Sequence, residues 1–477
     1  MCGILGIWGQ DDVSEELALG LNAIQHRGQD AAGIVTFDRK FRMKKGPGLV
    51  SQVFGGEDIE RLRAPCGLGH VRYATIGSTE TLDAQPIAVS YPFGVAMVHN
   101  GNVINFTELR RTLYEDHHRL LDTSNDVALI LFTFASMLET KNLKALTVDD
   151  IFDTVRETQQ QVKGAYSAIS IIANHGFLAF TDPNGIRPIV MGRRYSESGL
   201  VHAFASETTC FDYLGFQIVR DLQPGEAVFI DTAGHVHSRV CSQAKQAFCV
   251  FEYIYFARED SVIHRRLVAS ERVRMGRALA RTIRDARLDP DIIIDVPSSA
   301  YFFASGLAEE LEVPYRRGLA KNNHIGRSFI TPGQGVRERL VRQKLNPIRD
   351  VVRGRKVAVV DDSIVRGTTS KHLVKQLREC GAERVYFVSA SPPIKHPCVY
   401  GIDMSIRREI IAARYDVEDI AGYLEADAVV YQELDDLRAL YSDLPCCTAC
   451  FSGEYPTDVS PAVLDEIERE KASSNRV

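Results

Sequence analysis

The sequence predicts a mixed fold in two parts, α+β in the first half and α/β in the second, and three observations predict it. Short β-rich runs, Ala31–Phe37, Ala165–Ala173 and Phe177–Asp182, alternate with two helical stretches through the first half. In the second half, Asp291–Val296 and Val357–Val360 are brief apolar runs of the kind that form buried parallel strands. A polar stretch of little pattern, Ser238–Gln246, separates the two styles, so we read residues 2–237 as one domain and 247–477 as the other.

Composition limits the function classes. The chain has 477 residues, 45% hydrophobic and 25% charged, which describes ordinary globular protein with room for two or three domains. A net charge of −6 gives no support for binding nucleic acid or an anionic membrane. No apolar run approaches the roughly 18 residues of a membrane span. The N-terminus lacks a basic region, and Asp11 and Asp12 cut short its first apolar run, so it does not read as a signal peptide. The expected location is the cytoplasm, where ten cysteines suggest metal binding or catalysis before disulfides.

The N-terminus opens Met1-Cys2-Gly3-Ile4-Leu5-Gly6-Ile7. Removal of Met1 would leave Cys2 with thiol and α-amine on one residue, and the amine, of pKa about 8, can take the thiol proton. Gln25-His26-Arg27-Gly28-Gln29-Asp30 follows a helical pattern, and Gly69-His70-Val71-Arg72-Tyr73-Ala74-Thr75 follows a turn at Pro65-Cys66-Gly67. Val95–Val98 reads as a strand ending in His99-Asn100-Gly101-Asn102, where a side-chain amide and a backbone N–H could converge on an oxyanion.

Together these stretches resemble the class II glutamine amidotransferases, a family of N-terminal-nucleophile hydrolases, over roughly residues 2–235. The resemblance implies a four-layer αββα sandwich of two stacked sheets between helix layers. It makes Cys2 the nucleophile and Asn100 and Gly101 the oxyanion hole. Arg72 would pair with the glutamine α-carboxylate and Asp126 would hold the α-amine. Arg27 is grouped with the substrate-binding residues, although it and His70 are better suited to ordering loops. Where the family often has an acid two residues beyond Asp126, this chain has Ala128.

In the second half, Lys356–Ser370 runs strand, two acids (Asp361, Asp362), a turn at Gly367, then a helix from Thr369 to Cys380 closed by Gly381. A helix start after a small-residue turn aims free N–H groups at an anion, and Ser363, Thr368, Thr369 and Ser370 add hydroxyls. Ordinary helix capping uses the same residue types. The P-loop pattern is missing. Adjacent carboxylates repel phosphate, so they make sense facing hydroxyls or a divalent cation.

This run resembles the phosphoribosyltransferase fingerprint for phosphoribosyl pyrophosphate and implies a type I phosphoribosyltransferase domain. Asp361, Asp362, Ser363, Arg366, Gly367, Thr368 and Thr369 would bind that substrate. Mg²⁺ would be held by Ser299, Asp361 and Asp362, with Ser298 standing where the family usually has an acid. The basic, glycine-bearing segment from Lys321 to Pro347 reads as a lid, with Lys321, Arg327, Arg337 and Lys344 as its contacts.

Cys447-Thr448-Ala449-Cys450 alone suggests a metal or redox pair. Its context and those of Cys249 and Cys398 resemble the iron–sulfur branch of the amidophosphoribosyltransferase family, which implies a 4Fe–4S cluster on Cys249, Cys398, Cys447 and Cys450. Zinc is the chemical alternative, and Cys446 competes with Cys447 as a ligand. The whole-chain resemblance implies ammonia transfer from glutamine to C1 of phosphoribosyl pyrophosphate, feedback inhibition by purine nucleotides, and a homotetramer. A hexosamine-phosphate synthase would lack the acid-pair run, and a phosphoribosyl-pyrophosphate-sensing regulator would have no use for Cys2, Arg72 and Asn100-Gly101.

Overall fold

The structure, a computed structural model, describes residues 2–73, 81–322, 345–404 and 406–474. Gly3–Trp8 is the central strand of a seven-stranded sheet, between Gly199–Ala205 and Cys66–Arg72. Both faces of this strand are covered, which is why its sequence, Gly-Ile-Leu-Gly-Ile-Trp, is apolar throughout rather than alternating. Leu5 and Ile7 face outward against the helices Ser14–Ala23 and Thr209–Leu214, while Ile4 faces inward. There it meets Val98, Ile169 and Phe177 of a six-stranded second sheet. The helices Val127–Glu139 and Val148–Gln161 cover that sheet's outer face through Leu129, Phe134 and Val155. The first half is therefore the four-layer αββα sandwich.

Two expected boundaries move. The strand beginning at Val95 continues through His99-Asn100-Gly101-Asn102 to Val103. Asn100 pairs with Ser167 and Gly101 with Tyr166. Gly101 allows this because it has φ +154° and no Cβ, which would lie 1.9 Å from the Ala165 carbonyl. Likewise Cys66 and Gly67, expected in a turn, are already in the strand Cys66–Arg72.

The second half carries a four-stranded parallel sheet in the order Ile292–Asp295, Lys356–Asp361, Arg384–Ser389, Ala428–Tyr431. Val357, Ala358, Val359 and Val360 are fully buried, as a strand covered on both faces requires. The helix after the acid pair spans Thr368–Glu379. Phe248–Cys249 pairs in parallel with Cys446–Cys447, so the start and the end of this half meet. The same strand binds the sandwich, with Cys249 N–H donating to the Ile186 carbonyl at 3.1 Å. Among the described residues, no helix is long and apolar enough to cross a membrane.

The helices Val268–Asp285 and Tyr301–Leu311 touch backbone to backbone at two glycines. A Cβ on Gly276 would lie 2.1 Å from the Phe303 carbonyl, and one on Gly306 would lie 2.2 Å from that of Val273. Gly306→Ala is expected to lower stability by about 1–3 kcal/mol in urea titration, because rigid backbone must move apart. Gly422→Ala, in a helix where an added Cβ meets nothing within 4 Å, should instead stabilise by a few tenths to about 1 kcal/mol.

Candidate active site

Strand register assembles the first site. Gly3 pairs with Val71, which sets Cys2 beside Arg72 at one end of the first sheet. The Cys2 nitrogen donates to Asn100 Oδ1 at 3.2 Å, joining the two sheets at this point. With Oδ1 occupied, Asn100 Nδ2 is a buried donor that meets no acceptor among the described residues. A buried amide N–H of this kind, next to a thiol, is a pre-set donor for charge that develops during reaction. Asp126 stands at the start of the helix Val127–Glu139, where its Oδ2 accepts from Val103 N–H at 3.1 Å and lies 3.2 Å from His99 Nε2. Burial works to raise its pKa, but His99 and the Val103 N–H outweigh it and hold the carboxyl below its ordinary value.

Ala128 is fully buried, in the first turn of the helix Val127–Glu139. The loop before it is secured from elsewhere: Asp83 accepts from Thr123 Oγ1 at 2.7 Å and from Ser124 N–H at 2.9 Å. Gln85 braces His99, accepting its N–H at 2.7 Å. Neither Asp83 nor Gln85 carries a motif that would single it out in the sequence.

Arg27 requires a correction. It does not face a substrate, because its side chain has no exposed surface. Its Nε donates to the Cys2 carbonyl at 2.9 Å. Its two terminal nitrogens form a fork on Glu252, both at 2.9 Å, and Nη1 also bonds Glu207. Gln25, next in the motif, ties the Gly28 carbonyl to Val50 N–H. The motif orders the ground beneath Cys2. His70 is likewise fully buried.

The second site gathers around the acid pair. Asp362 is 6% exposed and accepts from Ser299 Oγ and, at 2.7 Å, from Ser363 Oγ. Asp361 retains some contact with solvent, and its Oδ1 accepts from Asp362 N–H at 2.9 Å. Lys321 Nζ reaches Ser298 Oγ at 3.2 Å, so the loop Pro297-Ser298-Ser299 lies between Lys321 and the acids. Gly367, at φ +74°, turns the chain into the helix that Thr368 and Thr369 open. Arg366 points to Glu409, with Nε and Nη2 at 2.7 and 2.6 Å from its Oε2. Arg327, Arg337 and Lys344 lie outside the described residues. Arg272, absent from the sequence-based set, is buried nearby with Nε on the Tyr253 carbonyl at 2.8 Å, and its charge favours ionised Asp362.

A loop of the second half touches the first site. Val399 carbonyl accepts from Asn102 Nδ2 at 2.8 Å, and a Cβ on Gly401 would lie 2.9 Å from the Gly101 carbonyl. The same loop begins with Cys398. Cys249, Cys398, Cys447 and Cys450 line one cavity, walled also by Phe251, Tyr400, Ile402 and Tyr455. Cys446 does not line it, and its thiol donates to the Leu444 carbonyl at 3.1 Å. Burial pushes the Cys249 thiol up to about 11 and raises those of Cys447 and Cys450. None of these cysteines is in a disulfide.

Residues 70–213 match the family model for a glutamine amidotransferase domain, and residues 270–392 that for a phosphoribosyl transferase domain. With the sandwich and the parallel sheet, this defines the class: a glutamine amidotransferase joined to a phosphoribosyltransferase. The amidophosphoribosyltransferase of Pseudomonas aeruginosa is 43% identical, across 100% of this chain and 97% of its own. That of Escherichia coli is also 43% identical, across 98% and 94%. The solved glutamine phosphoribosylpyrophosphate amidotransferase of B. subtilis, complexed with ADP and GMP, is 36% identical with a TM-score of 0.85, covering 96% of this chain and 98% of that one. The chain belongs to the amidophosphoribosyltransferase family. It carries out glutamine-dependent amination of phosphoribosyl pyrophosphate, yielding 5-phosphoribosylamine, pyrophosphate and glutamate, the first step of purine synthesis.

The acid pair makes a stability prediction. Burial and the charge of Asp362 raise Asp361 well above the ordinary carboxylate value; burial also raises Asp362, against the Ser299 and Ser363 hydroxyls. The folded protein thus holds these protons more tightly than the unfolded chain. The pair favours folding at acid pH and opposes it as pH rises through the raised values. Asp361→Asn should therefore raise the melting temperature of the ligand-free protein at about pH 8, by about 2–4 °C for each kcal/mol relieved. The gain should fade as the pH falls toward about 4, where the native acid is itself protonated.

Proposed function

We propose that Cys2, freed by removal of Met1, is the nucleophile of the glutamine half-reaction. The single observation that carries this reading is the buried Asn100 Nδ2, without an acceptor among the described residues, beside the Cys2 nitrogen. The α-amine takes the thiol proton and the sulfur attacks the glutamine side-chain carbonyl. Asn100 Nδ2 and Gly101 N–H stabilise the oxyanion. Ammonia leaves with a proton, and water then cleaves the thioester to glutamate. Arg72 holds the substrate's α-carboxylate and Asp126, kept ionised, its α-amine.

In the second site, Asp361 and Asp362 accept the ribose hydroxyls, and the 5-phosphate lies on the turn Ser363–Thr369 at the helix start. Ammonia adds to C1 with inversion as pyrophosphate departs. Ser299, Asp361 and Asp362 would hold Mg²⁺, which when bound neutralises charge on the departing pyrophosphate. The acceptance of two hydroxyl hydrogen bonds by Asp362 supports a role facing polar groups rather than bare phosphate.

The four cysteines fit a 4Fe–4S cluster. They line one cavity. Zinc is the chemical alternative for the same four thiols. Bound there, the cluster would staple the segments around Cys249, Cys398 and Cys447–Cys450 together. A cytoplasmic homotetramer under purine-nucleotide feedback completes the reading. The B. subtilis relative, solved with ADP and GMP, supports the last point.

Cys2→Ala should lower glutamine-dependent synthesis by orders of magnitude. The same variant should still make 5-phosphoribosylamine from a high concentration of ammonium salt at alkaline pH. Wild-type glutamine use by a folded Cys2→Ala protein would refute the nucleophile. Mass spectrometry of the wild-type N-terminus, run alongside, should show Met1 removed. Protein purified without oxygen should contain about four irons and four acid-labile sulfides per chain; stoichiometric zinc without sulfide would refute the cluster.

A further inference from the structure

Glu252 lies in the second half of the chain, 225 residues from Arg27, and has no exposed surface. Both its carboxylate oxygens receive the Arg27 fork at 2.9 Å. That fork turns Arg27 Nε onto the Cys2 carbonyl at 2.9 Å. Glu252 Oε1 also lies 3.3 Å from Arg187 Nη1, and Arg187 Nε bonds the Tyr400 carbonyl at 2.9 Å. On the other flank, Glu207 takes Arg27 Nη1, His26 Nε2 at 2.9 Å, Ser261 Oγ at 2.7 Å and Arg258 N–H at 3.0 Å. The side chains of Arg27, Arg187, Glu207 and Glu252 are all fully buried.

We propose that Glu252 is a positioning residue for the glutamine half-reaction, holding Cys2 in place through Arg27. The proposal rests on the reading of Cys2 as the nucleophile. Cys2 precedes the first strand, so its backbone is tethered by the sheet on one side only. Asn100 Oδ1 fixes its nitrogen and Arg27 Nε fixes its carbonyl. A guanidinium can do the second task reproducibly only if its own plane is fixed, and a bidentate carboxylate fixes it. The phosphoribosyl half of the chain therefore supplies the group that orients the nucleophile of the amidotransferase half.

The test uses the full chain with Arg27→Met and Glu252→Met combined. This removes one buried charge of each sign and leaves the net charge unchanged; Glu207 keeps His26, Ser261 Oγ and Arg258 N–H, Arg187 keeps the Tyr400 carbonyl, and replacing an ion pair by apolar residues of similar volume is often tolerated. The glutamine-dependent kcat should fall about 10²-fold, as small misplacements of reacting groups cost. KM for glutamine should stay within about threefold, because no substrate contact is lost. Ammonia-dependent synthesis should stay at the wild-type rate. A wild-type glutamine kcat would overturn the proposal, and so would equal loss of both activities, which would make the network a general fold element. If the double variant does not fold, Arg27→Lys is judged by the same criteria, since it keeps the charge and drops the fork. Cys2→Ala run alongside separates the two readings. Glutamine use surviving in Cys2→Ala refutes the nucleophile, whereas its loss there together with a wild-type kcat in the network variants refutes only the positioning role.

Discussion

Two arginines and two glutamates, none with any side-chain exposure, meet where the sandwich joins the phosphoribosyl half. Removing four ions from water costs several kcal/mol for each, and only complete pairing offsets that cost. The molecule achieves completeness with groups from both halves, since Arg27, Arg187 and Glu207 belong to the sandwich and Glu252 does not. Burial alone would drive the Arg27 charge off, yet Glu252 and Glu207 more than compensate, and its pKa is raised. Burial would likewise protonate Glu207, but His26 and Arg27 hold it well below the ordinary range. The relative placement of the halves is thus electrostatically specified. A fork on a carboxylate adds directional hydrogen bonds to that placement.

That junction also seats the second half against the first site. The loop after Cys398 lies on Gly101 and Asn102, and Arg187 holds its Tyr400 carbonyl. Cys398 lies at the start of this loop and Cys249 three residues before Glu252. The cavity lined by cysteines and the ion network are therefore neighbours in one interface, along which the glutamine site and the phosphoribosyl half are held together.

Much of this was legible in the sequence where function depends on short, contiguous runs. The acid pair, its strand and its helix appear within one residue of their expected bounds, because strand, turn and helix signals there are all local. What could not be read is what partners a residue. Arg27 was grouped with substrate contacts because its motif announces importance without direction; its carboxylates lie 180 and 225 residues away. Asp83, Gln85, Glu207 and Glu252 have no local signature, since a buried charge or amide is recognisable only by what surrounds it. The strand was expected over Val95–Val98 with Asn100-Gly101 at its end; the close approach of Ala165 that makes Gly101 necessary is invisible until the strand pairs with Gly164–Ile172.

The order of these residues along the chain has a consequence for biosynthesis. On the ribosome, Arg27 and Arg187 emerge before Glu252, and Cys447 and Cys450 emerge after it. While synthesis stands short of residue 252, a nascent sandwich lacks the carboxylate that Arg27 and Arg187 both meet in the finished protein. Phe248–Cys249 must then wait almost 200 residues for its partner strand Cys446–Cys447. The carboxylate that steadies the ground beneath Cys2 is thus made 250 residues after Cys2 itself.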